Sequence, residues 1–142
     1  MIQYALDTSI LLRWFTQIPD QETERALRLR AEHLDETVEL LVLDQSVYEL
    51  IHTLKESALF DQEQITDALE SLKYMHINIV PYSHQIAKKA SQVAFEHNIS
   101  LYAACFIALG AEMRCQAVTC DENLYRRVDS LPWTILLANL NL

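Results

Sequence analysis

The sequence predicts an α/β domain with a central parallel sheet and helices on both of its faces. Short apolar runs alternate with longer segments in which apolar residues recur at helical spacing. Parallel strands need a crossover connection, usually a helix, so this alternation favours a parallel sheet. Hydrophobic residues make up 51% of the 142 residues, which is enough for one sizeable core. We therefore expect a single domain over residues 1–142.

In the first half of the chain, Ile2–Leu6 is an apolar strand, and Thr8 or Ser9 can cap a helix that runs to about Phe15. Pro and Asp are typical of a helix start, and they favour a second helix that begins at Pro19-Asp20. The apolar run Val38–Leu43 predicts the next strand. Two further helices follow from apolar residues three and four apart, one capped by Asp44-Gln45-Ser46 and one over Asp61–Tyr74.

The second half of the chain repeats the alternation. Ile77–Val80 is a short apolar run that Pro81 closes, and it predicts the third strand. The remaining predicted helices are Ser83–His97, Ser100–Met113 and Asp121–Val128, and the remaining predicted strands are Gln116–Thr119 and Trp133–Leu137.

Composition excludes several classes of protein. The chain has one glycine, which excludes a glycine-rich phosphate loop of the Rossmann or Walker type. No apolar run reaches the roughly 20 residues of a membrane span, so we expect no membrane association. Three cysteines make neither a disulfide framework nor a paired motif, and this favours reduced thiols in the cytoplasm. The histidines lack metal-ligand spacing.

The net charge of −9 is unevenly distributed. Residues 1–71 contain fifteen acids and five bases, whereas residues 72–142 contain five acids and six bases. A surface that binds nucleic acid without specificity is normally basic, so this chain alone is a poor candidate for such binding. That objection weakens if some acids hold a divalent cation, or if a dimer or another partner supplies bases.

Two carboxylates occupy equivalent places near the two ends of the chain. Asp7 directly follows the strand Ile2–Leu6, and Asp121 follows the strand Gln116–Thr119 by one residue. The carboxyl ends of parallel strands form the ligand crevice of open α/β sheets, so these acids suggest a shared metal site. Glu49 is a third candidate, because it lies beside the apolar stripe of its helix and needs a partner there. An ion pair with arginine or a solvated rim position would satisfy Glu49 equally well.

Four motifs in order resemble the PIN domain family of metal-dependent ribonucleases. They are the apolar strand followed by Asp7-Thr8-Ser9, then Tyr48-Glu49-Leu50, then Ser100-Leu101-Tyr102-x-Ala104, then Val118-Thr119-Cys120-Asp121. The resemblance covers essentially the whole chain and is strongest to small single-domain VapC-like toxins of toxin–antitoxin pairs. It implies a three-layer α/β/α domain whose acids gather around Mg²⁺ or Mn²⁺ at the carboxyl edge of the sheet.

The resemblance also assigns roles to single positions. It implies that Asp7, Glu49 and Asp121 are catalytic, that Asp7 and Asp121 bind metal, and that Thr8 and Thr119 are supporting hydroxyls. It further implies an RNA substrate, an antitoxin partner with a basic side chain for the acidic pocket, and a homodimer.

Ala103 departs from the family pattern, which has aspartate at this position. The flanking residues fit the motif, so the difference is a substitution at an acidic position. An aspartate there would lie in the first turn of a helix, where the dipole favours a negative charge. Its absence removes one oxygen ligand, although Mg²⁺ readily keeps waters in place of protein ligands. Both a natural degenerate member and a site-directed variant fit this pattern, and the intact surroundings slightly favour the variant.

Three functions remain open from the sequence. The leading one is a PIN-type ribonuclease weakened or inactivated by Ala103. The alternative is a catalytically silent PIN-like module that binds an antitoxin, another protein or RNA. A phosphoaspartate receiver or phosphatase would also place an aspartate after its first strand, but the supporting lysine expected near a strand end is missing. Arg126 and Arg127 could contact substrate phosphate.

Aromatic residues motivate the expectation of a homodimer beyond the family resemblance. Trp14, Phe15 and Trp133 are predicted to belong to the core or to an interface, and an apolar aromatic surface would favour self-association.

Overall fold

A computed structural model describes residues 1–16 and 18–142 of the chain. Five strands form one sheet, in the order β3-β2-β1-β4-β5, and every neighbouring pair is parallel. The strands are β1 (Ile2–Leu6), β2 (Val38–Leu43), β3 (Asn78–Val80), β4 (Gln116–Thr119) and β5 (Thr134–Leu136). The predicted parallel α/β fold is therefore confirmed, and β1 is its central strand.

Seven α-helices and one 3₁₀ helix are found in the described part of the chain. They are α1 (Thr8–Thr16), α2 (Gln21–Leu34), α3 (Asp44–Glu56), α4 (Gln62–Tyr74), α5 (His84–His97), α6 (Leu101–Met113), α7 (Glu122–Val128) and the 3₁₀ helix Leu137–Asn139. Four predicted first residues are the caps of their helices: Asp61, Ser83, Ser100 and Asp121 each accept a hydrogen bond from a backbone N–H in the first turn.

Some predicted boundaries are wrong by one or two residues. Helix α1 already includes Thr8, so neither Thr8 nor Ser9 is its cap, and α3 begins at Asp44 without a side-chain cap. Strand β5 is shorter than predicted because Leu137 turns into the 3₁₀ helix. Element ends depend on local hydrogen bonds, which the apolar pattern does not encode.

Two apolar clusters lie on opposite faces of the sheet. Successive side chains of β1 point to opposite faces of the sheet, so Tyr4 and Leu6 belong to one cluster and Ala5 belongs to the other. Helices α1 to α4 contribute to the first cluster, and α5 to α7 contribute to the second. The result is a helix–sheet–helix arrangement, in which α3 and α6 approach the carboxyl edge of the sheet from opposite faces.

Trp14 is a core residue, which is one of the two places predicted for it, so it contributes no surface to a dimer. Its side chain is 1% exposed, and its indole N–H donates to the carbonyl of Ala26 over 2.8 Å. Phe15 packs against the same cluster, and Trp133 is partly buried with its N–H bonded to the Ile107 carbonyl. Trp14 therefore offers no surface to a partner, whereas Phe15 and Trp133 are partly exposed.

The single glycine permits close packing of α6 on β4. A Cβ atom at Gly110 would lie 3.0 Å from the Cβ of Ala117, 3.1 Å from the carbonyl oxygen of Cys115 and 3.2 Å from the ring of Trp133. Any side chain would push the helix away from the strand. Gly110 therefore sets the distance between this helix and the sheet.

Candidate active site

Asp7 lies where β1 meets α1, at the carboxyl edge of the sheet. Its backbone N–H continues the strand pairing by donating to the Val118 carbonyl, 3.0 Å away. Its carboxylate accepts hydrogen bonds from the hydroxyls of Ser9, at 3.0 Å, and Thr119, at 2.7 Å. The side chain is thus fixed at the junction between the central strand and β4.

The hydroxyl of Thr119 connects Asp7 to Asp121. While it donates to Asp7, its Oγ1 atom accepts from the backbone N–H of Asp121 at 3.0 Å. Thr119 is completely buried, so its hydroxyl is held in place between these two partners. The structure therefore brings the Asp7 carboxylate and the Asp121 main chain within two hydrogen bonds of each other.

Ser9 forms a second connection that the sequence did not reveal. Its hydroxyl donates to Asp7 and accepts from the backbone N–H of Cys120 at 3.1 Å. The family resemblance suggested Thr8 as a supporting hydroxyl. Its side chain is buried, and its backbone N–H donates a hydrogen bond to the Asp7 carboxylate. The available signal for Ser9 was its position two residues after an aspartate, where a hydroxyl commonly bonds back to that carboxylate.

Burial raises the pKa of the Asp7 carboxyl from its ordinary value of 3.8 to about 6. The hydroxyls of Thr119 and Ser9 lower the pKa but do not offset this effect. The negative charge of Glu49 raises it further, which places Glu49 near Asp7. Glu49 is partly buried on α3 and accepts a hydrogen bond from the amide of Gln45 at 3.1 Å.

Asp121 is exposed and caps α7. Its Oδ1 atom accepts from the backbone N–H of Leu124 at 3.0 Å. A capping carboxylate has a second oxygen, and a cation can bind that oxygen without loss of the cap.

Ala103 lies in the first turn of α6, where its backbone N–H donates to the hydroxyl of the cap Ser100 at 3.1 Å. Its side chain is partly buried against the second apolar cluster. An aspartate at this place would add a carboxylate at the N-terminus of a 13-residue helix.

The donor chemistry suits a hard divalent cation, but few protein ligands are present. Carboxylate oxygens are preferred by Mg²⁺, and the raised pKa of Asp7 reflects a buried negative charge that a cation would stabilise. Among residues 1–16 and 18–142, no Lys or Arg forms a salt bridge with Asp7, Glu49 or Asp121. Within the same ranges, no three Asp, Glu, His or Cys side chains are arranged to hold a metal ion. The acids fit a cation that keeps several waters.

A cleft of about 640 Å³ opens beside Glu49. Its lining consists of Gln45, Tyr48, Glu49 and His52 from α3 and of Tyr102 from α6. Tyr48 and Tyr102 belong to two of the family motifs, which assign no role to either ring. The signal available was that each of them directly precedes a predicted acidic position.

Arg126 and Arg127 are both exposed on α7. The guanidinium of Arg126 contacts Asn123 and Glu122 on its own helix, and that of Arg127 donates to the Asn98 carbonyl at 3.4 Å. A contact with substrate phosphate stays a prediction for both residues.

The sheet is all-parallel, Asp7 lies at the carboxyl edge of its central strand, and the Thr119 hydroxyl connects Asp7 to Asp121 just after β4. These features define the class of open α/β proteins with an acidic site at the edge of the sheet. Comparison with protein-family models narrows that class, because the PIN domain model matches residues 4–130. The chain belongs to the PIN domain family.

Individual relatives are distant. The chain is 25% identical to Ribonuclease VapC3 of Pyrobaculum aerophilum over 118 residues, which cover 80% of this chain and 87% of that protein. Two solved structures share the fold. One is a toxin–antitoxin complex from Klebsiella pneumoniae, with a TM-score of 0.68, 18% identity and coverage of 96% and 98%. The other is VapBC2 from Rickettsia felis bound to a DNA fragment from its promoter, with a TM-score of 0.69, 17% identity and coverage of 95% and 97%.

No helix in the described ranges is both long enough and apolar enough to cross a membrane.

Proposed function

We propose that this chain is a metal-dependent endoribonuclease of the toxin type, weakened by alanine at position 103. The observation that carries the proposal is the Asp7 carboxylate, which is held by Ser9 and Thr119 at the carboxyl edge of the central strand. Similarity to Ribonuclease VapC3 supports RNA as the substrate class. The reaction is hydrolysis of a phosphodiester bond.

Asp7 and Asp121 are the residues that would hold Mg²⁺ or Mn²⁺. A bound divalent cation supplies Lewis acidity to phosphodiester hydrolysis and neutralises charge that develops on the phosphate. Thr119 and Ser9 fix the orientation of the Asp7 carboxylate through their hydroxyls. Glu49 would bind the cation directly or orient the attacking water, and its proximity to Asp7 supports both roles.

Ala103 explains why the proposed activity is weak. In the family pattern an aspartate at this position adds a carboxylate in the first turn of α6. The absence of any three-ligand group in the described parts of the chain agrees with a missing oxygen donor. Waters would fill the remaining coordination positions, which lowers affinity without abolishing binding.

The proposed partners are an antitoxin protein and a second copy of the chain, in the cytoplasm. The solved neighbours from Klebsiella pneumoniae and Rickettsia felis support an antitoxin, because one is a toxin–antitoxin complex and the other is VapBC2. An arginine of the antitoxin would suit the acidic edge through bidentate pairing with a carboxylate. Trp14 gives the homodimer no support because it is buried, so this proposal rests on the family resemblance and on the partly exposed Phe15 and Trp133.

A catalytically silent binding module is the second candidate function. Ala103 and the absence of three metal-ligating side chains together, among the residues described, favour it. In that case the fold binds an antitoxin, another protein or RNA without cleaving a bond.

Metal titration and RNA cleavage distinguish the two functions. We would compare this chain with Ala103→Asp and with Ala103→Asn, a control of the same size that lacks the charge. We expect Ala103→Asp to bind Mn²⁺ at least about tenfold more tightly and to cleave RNA faster, because loss even of outer-shell partners costs 10–100-fold in affinity. Ala103→Asn should change either property far less.

A second substitution tests the role of Asp7 in the more active background. Asp7→Asn combined with Ala103→Asp should fold and should not cleave RNA. If Ala103→Asp is no faster than the parent chain across a Mg²⁺ and Mn²⁺ series, the missing-ligand account is wrong and the silent binding module is preferred.

A further inference from the structure

Two exposed tyrosines, one from each of two helices, line the cleft beside Glu49. Tyr48 extends from α3 and is 73% exposed, and Tyr102 extends from α6 and is 64% exposed. We call this feature, with Gln45, Glu49 and His52, the tyrosine cleft. Its volume of about 640 Å³ lies within the usual range for ligand sites of 300–1,000 Å³.

The position of the rings relates them to the proposed reaction. Tyr48 directly precedes Glu49, and Tyr102 directly precedes Ala103. A phosphodiester at the acidic edge must place the nucleosides on either side of it close to these residues. Base–aromatic stacking is a common way to bind such unpaired bases, because every base has a π-face.

The charges of the cleft do not favour recognition through the phosphate backbone. Glu49 is a carboxylate, and no Lys or Arg belongs to the described lining. The whole chain carries a net charge of −9. Contacts with phosphates would produce strong salt dependence, whereas stacking on tyrosine rings would not. The bases of an RNA strand are flat and uncharged, so they can enter this cleft without bringing a phosphate against Glu49.

We propose that the tyrosine cleft binds unpaired nucleobases of an RNA strand, with Tyr48 and Tyr102 as the stacking residues next to the scissile phosphodiester. This inference rests on the proposed function for the identity of the ligand. It assigns specificity to single-stranded RNA, since the bases of a duplex are stacked within the helix and cannot enter the cleft.

Binding of a labelled oligonucleotide tests the inference without any cleavage. The probe is a short fluorescein-labelled RNA without self-complementarity, measured by anisotropy in EDTA and again in Ca²⁺. Tyr48→Ala and Tyr102→Ala should each weaken binding by about five- to 150-fold, the range that corresponds to 1–3 kcal/mol per stacked base. Tyr48→Phe and Tyr102→Phe keep the ring face and should bind within about twofold of the parent chain.

Matched controls separate stacking from general loss of aromatic surface. Tyr74 is 79% exposed at the end of α4, away from the tyrosine cleft, and Tyr74→Ala should leave binding unchanged. All of these tyrosines are exposed, so the variants should melt at the same temperature as the parent chain. A duplex of the same sequence should bind poorly, and the affinity for the single strand should change little with salt.

Several results would overturn the inference. These are absence of single-strand binding in both EDTA and Ca²⁺, equal binding by the parent chain and the alanine variants, or an equal loss in the phenylalanine variants. A change in oligomeric mass in Tyr48→Ala without a change in RNA binding would identify the cleft as a contact between copies. If the oligonucleotide binds through the tyrosines but is never cleaved, the inference stands and the proposed nuclease activity fails.

Discussion

The partly buried carboxylate of Asp7 makes the stability of the metal-free protein depend on pH. In the folded protein the pKa of this carboxyl is raised from 3.8 to about 6, so the folded state holds the proton more tightly than the unfolded chain. The resulting loss of stability begins as pH rises above about 4 and is complete above about 6. This rise in the pKa of Asp7 lowers the free energy of unfolding by about 3 kcal/mol at neutral pH.

Asp7→Asn should remove this loss. The amide oxygen still accepts the hydroxyl bonds of Ser9 and Thr119, but the side chain carries no charge at any pH. In urea unfolding with EDTA, we expect the variant to exceed the parent chain by about 3 kcal/mol at neutral pH. The difference should shrink to a few tenths of a kcal/mol near pH 4. Mn²⁺ should stabilise the parent chain and leave the variant unchanged.

Asp20 provides a control of opposite sign. Its pKa is lowered by the backbone N–H of Thr23 and by the side chain of Arg13. Asp20→Asn should therefore be less stable than the parent chain at neutral pH, and this difference should disappear as pH falls through the lowered pKa. A difference between Asp7→Asn and the parent that stays constant from about pH 4 to pH 7 would refute the account of Asp7 as a buried charge.

Three further substitutions test other features of the structure. Thr119→Val keeps the shape of a fully buried side chain but removes its hydrogen bonds to the Asp7 carboxylate and to the backbone N–H of Asp121. Urea unfolding should show that the free energy of unfolding falls by about 1–3 kcal/mol. The pKa of Asp7, measured by NMR, should rise above about 6 in that variant. Gly110→Ala gains helix propensity, but the new Cβ atom would lie only 3.0 Å from the Cβ of Ala117. Thermal melting should therefore show that the free energy of unfolding falls by about 1 kcal/mol. Ala58→Gly should raise the free energy of unfolding by about 1 kcal/mol, because Ala58 has a φ of 61°, which glycine adopts without strain. Ala31→Gly on the exposed face of α2 should lower it by about 1 kcal/mol, because glycine is unfavourable inside a helix.

Most of the fold could be predicted because its periodicity is regular. The run Val38–Leu43 and the strand Ile2–Leu6 have the bounds expected, and the order of strands and helices in the sequence is the order found. Parallel strands are buried on both faces, so their apolar character is nearly continuous and easy to recognise. The 3₁₀ helix after β5 was not expected, since a single turn contains too few residues for a periodic signal.

Tertiary packing accounts for what the sequence could not predict. Trp14 belongs to a helix that also has polar residues, and only the position of α2 decides that its indole is buried under Ala26. The role of Ser9 depends on Cys120, more than a hundred residues later in the chain. The acidic positions Asp7 and Asp121 could be proposed because strand ends are visible in sequence. The cation-binding role of each of them stays a prediction.

The central position of β1 has a consequence for synthesis on the ribosome. The ribosome synthesises β1 before the other four strands, and β2 can pair with one edge of β1 soon afterwards. The other edge stays unpaired until β4 has been synthesised. Until Thr119 and Cys120 have left the exit tunnel, Asp7 lacks the Thr119 hydroxyl that donates to it, and Ser9 lacks the backbone N–H of Cys120. A nascent chain that stops before Gln116 would expose the unpaired edge of a strand whose residues Ala5 and Leu6 are otherwise fully buried. Such an edge is a template for aggregation, so incomplete translation products should be insoluble rather than partly active.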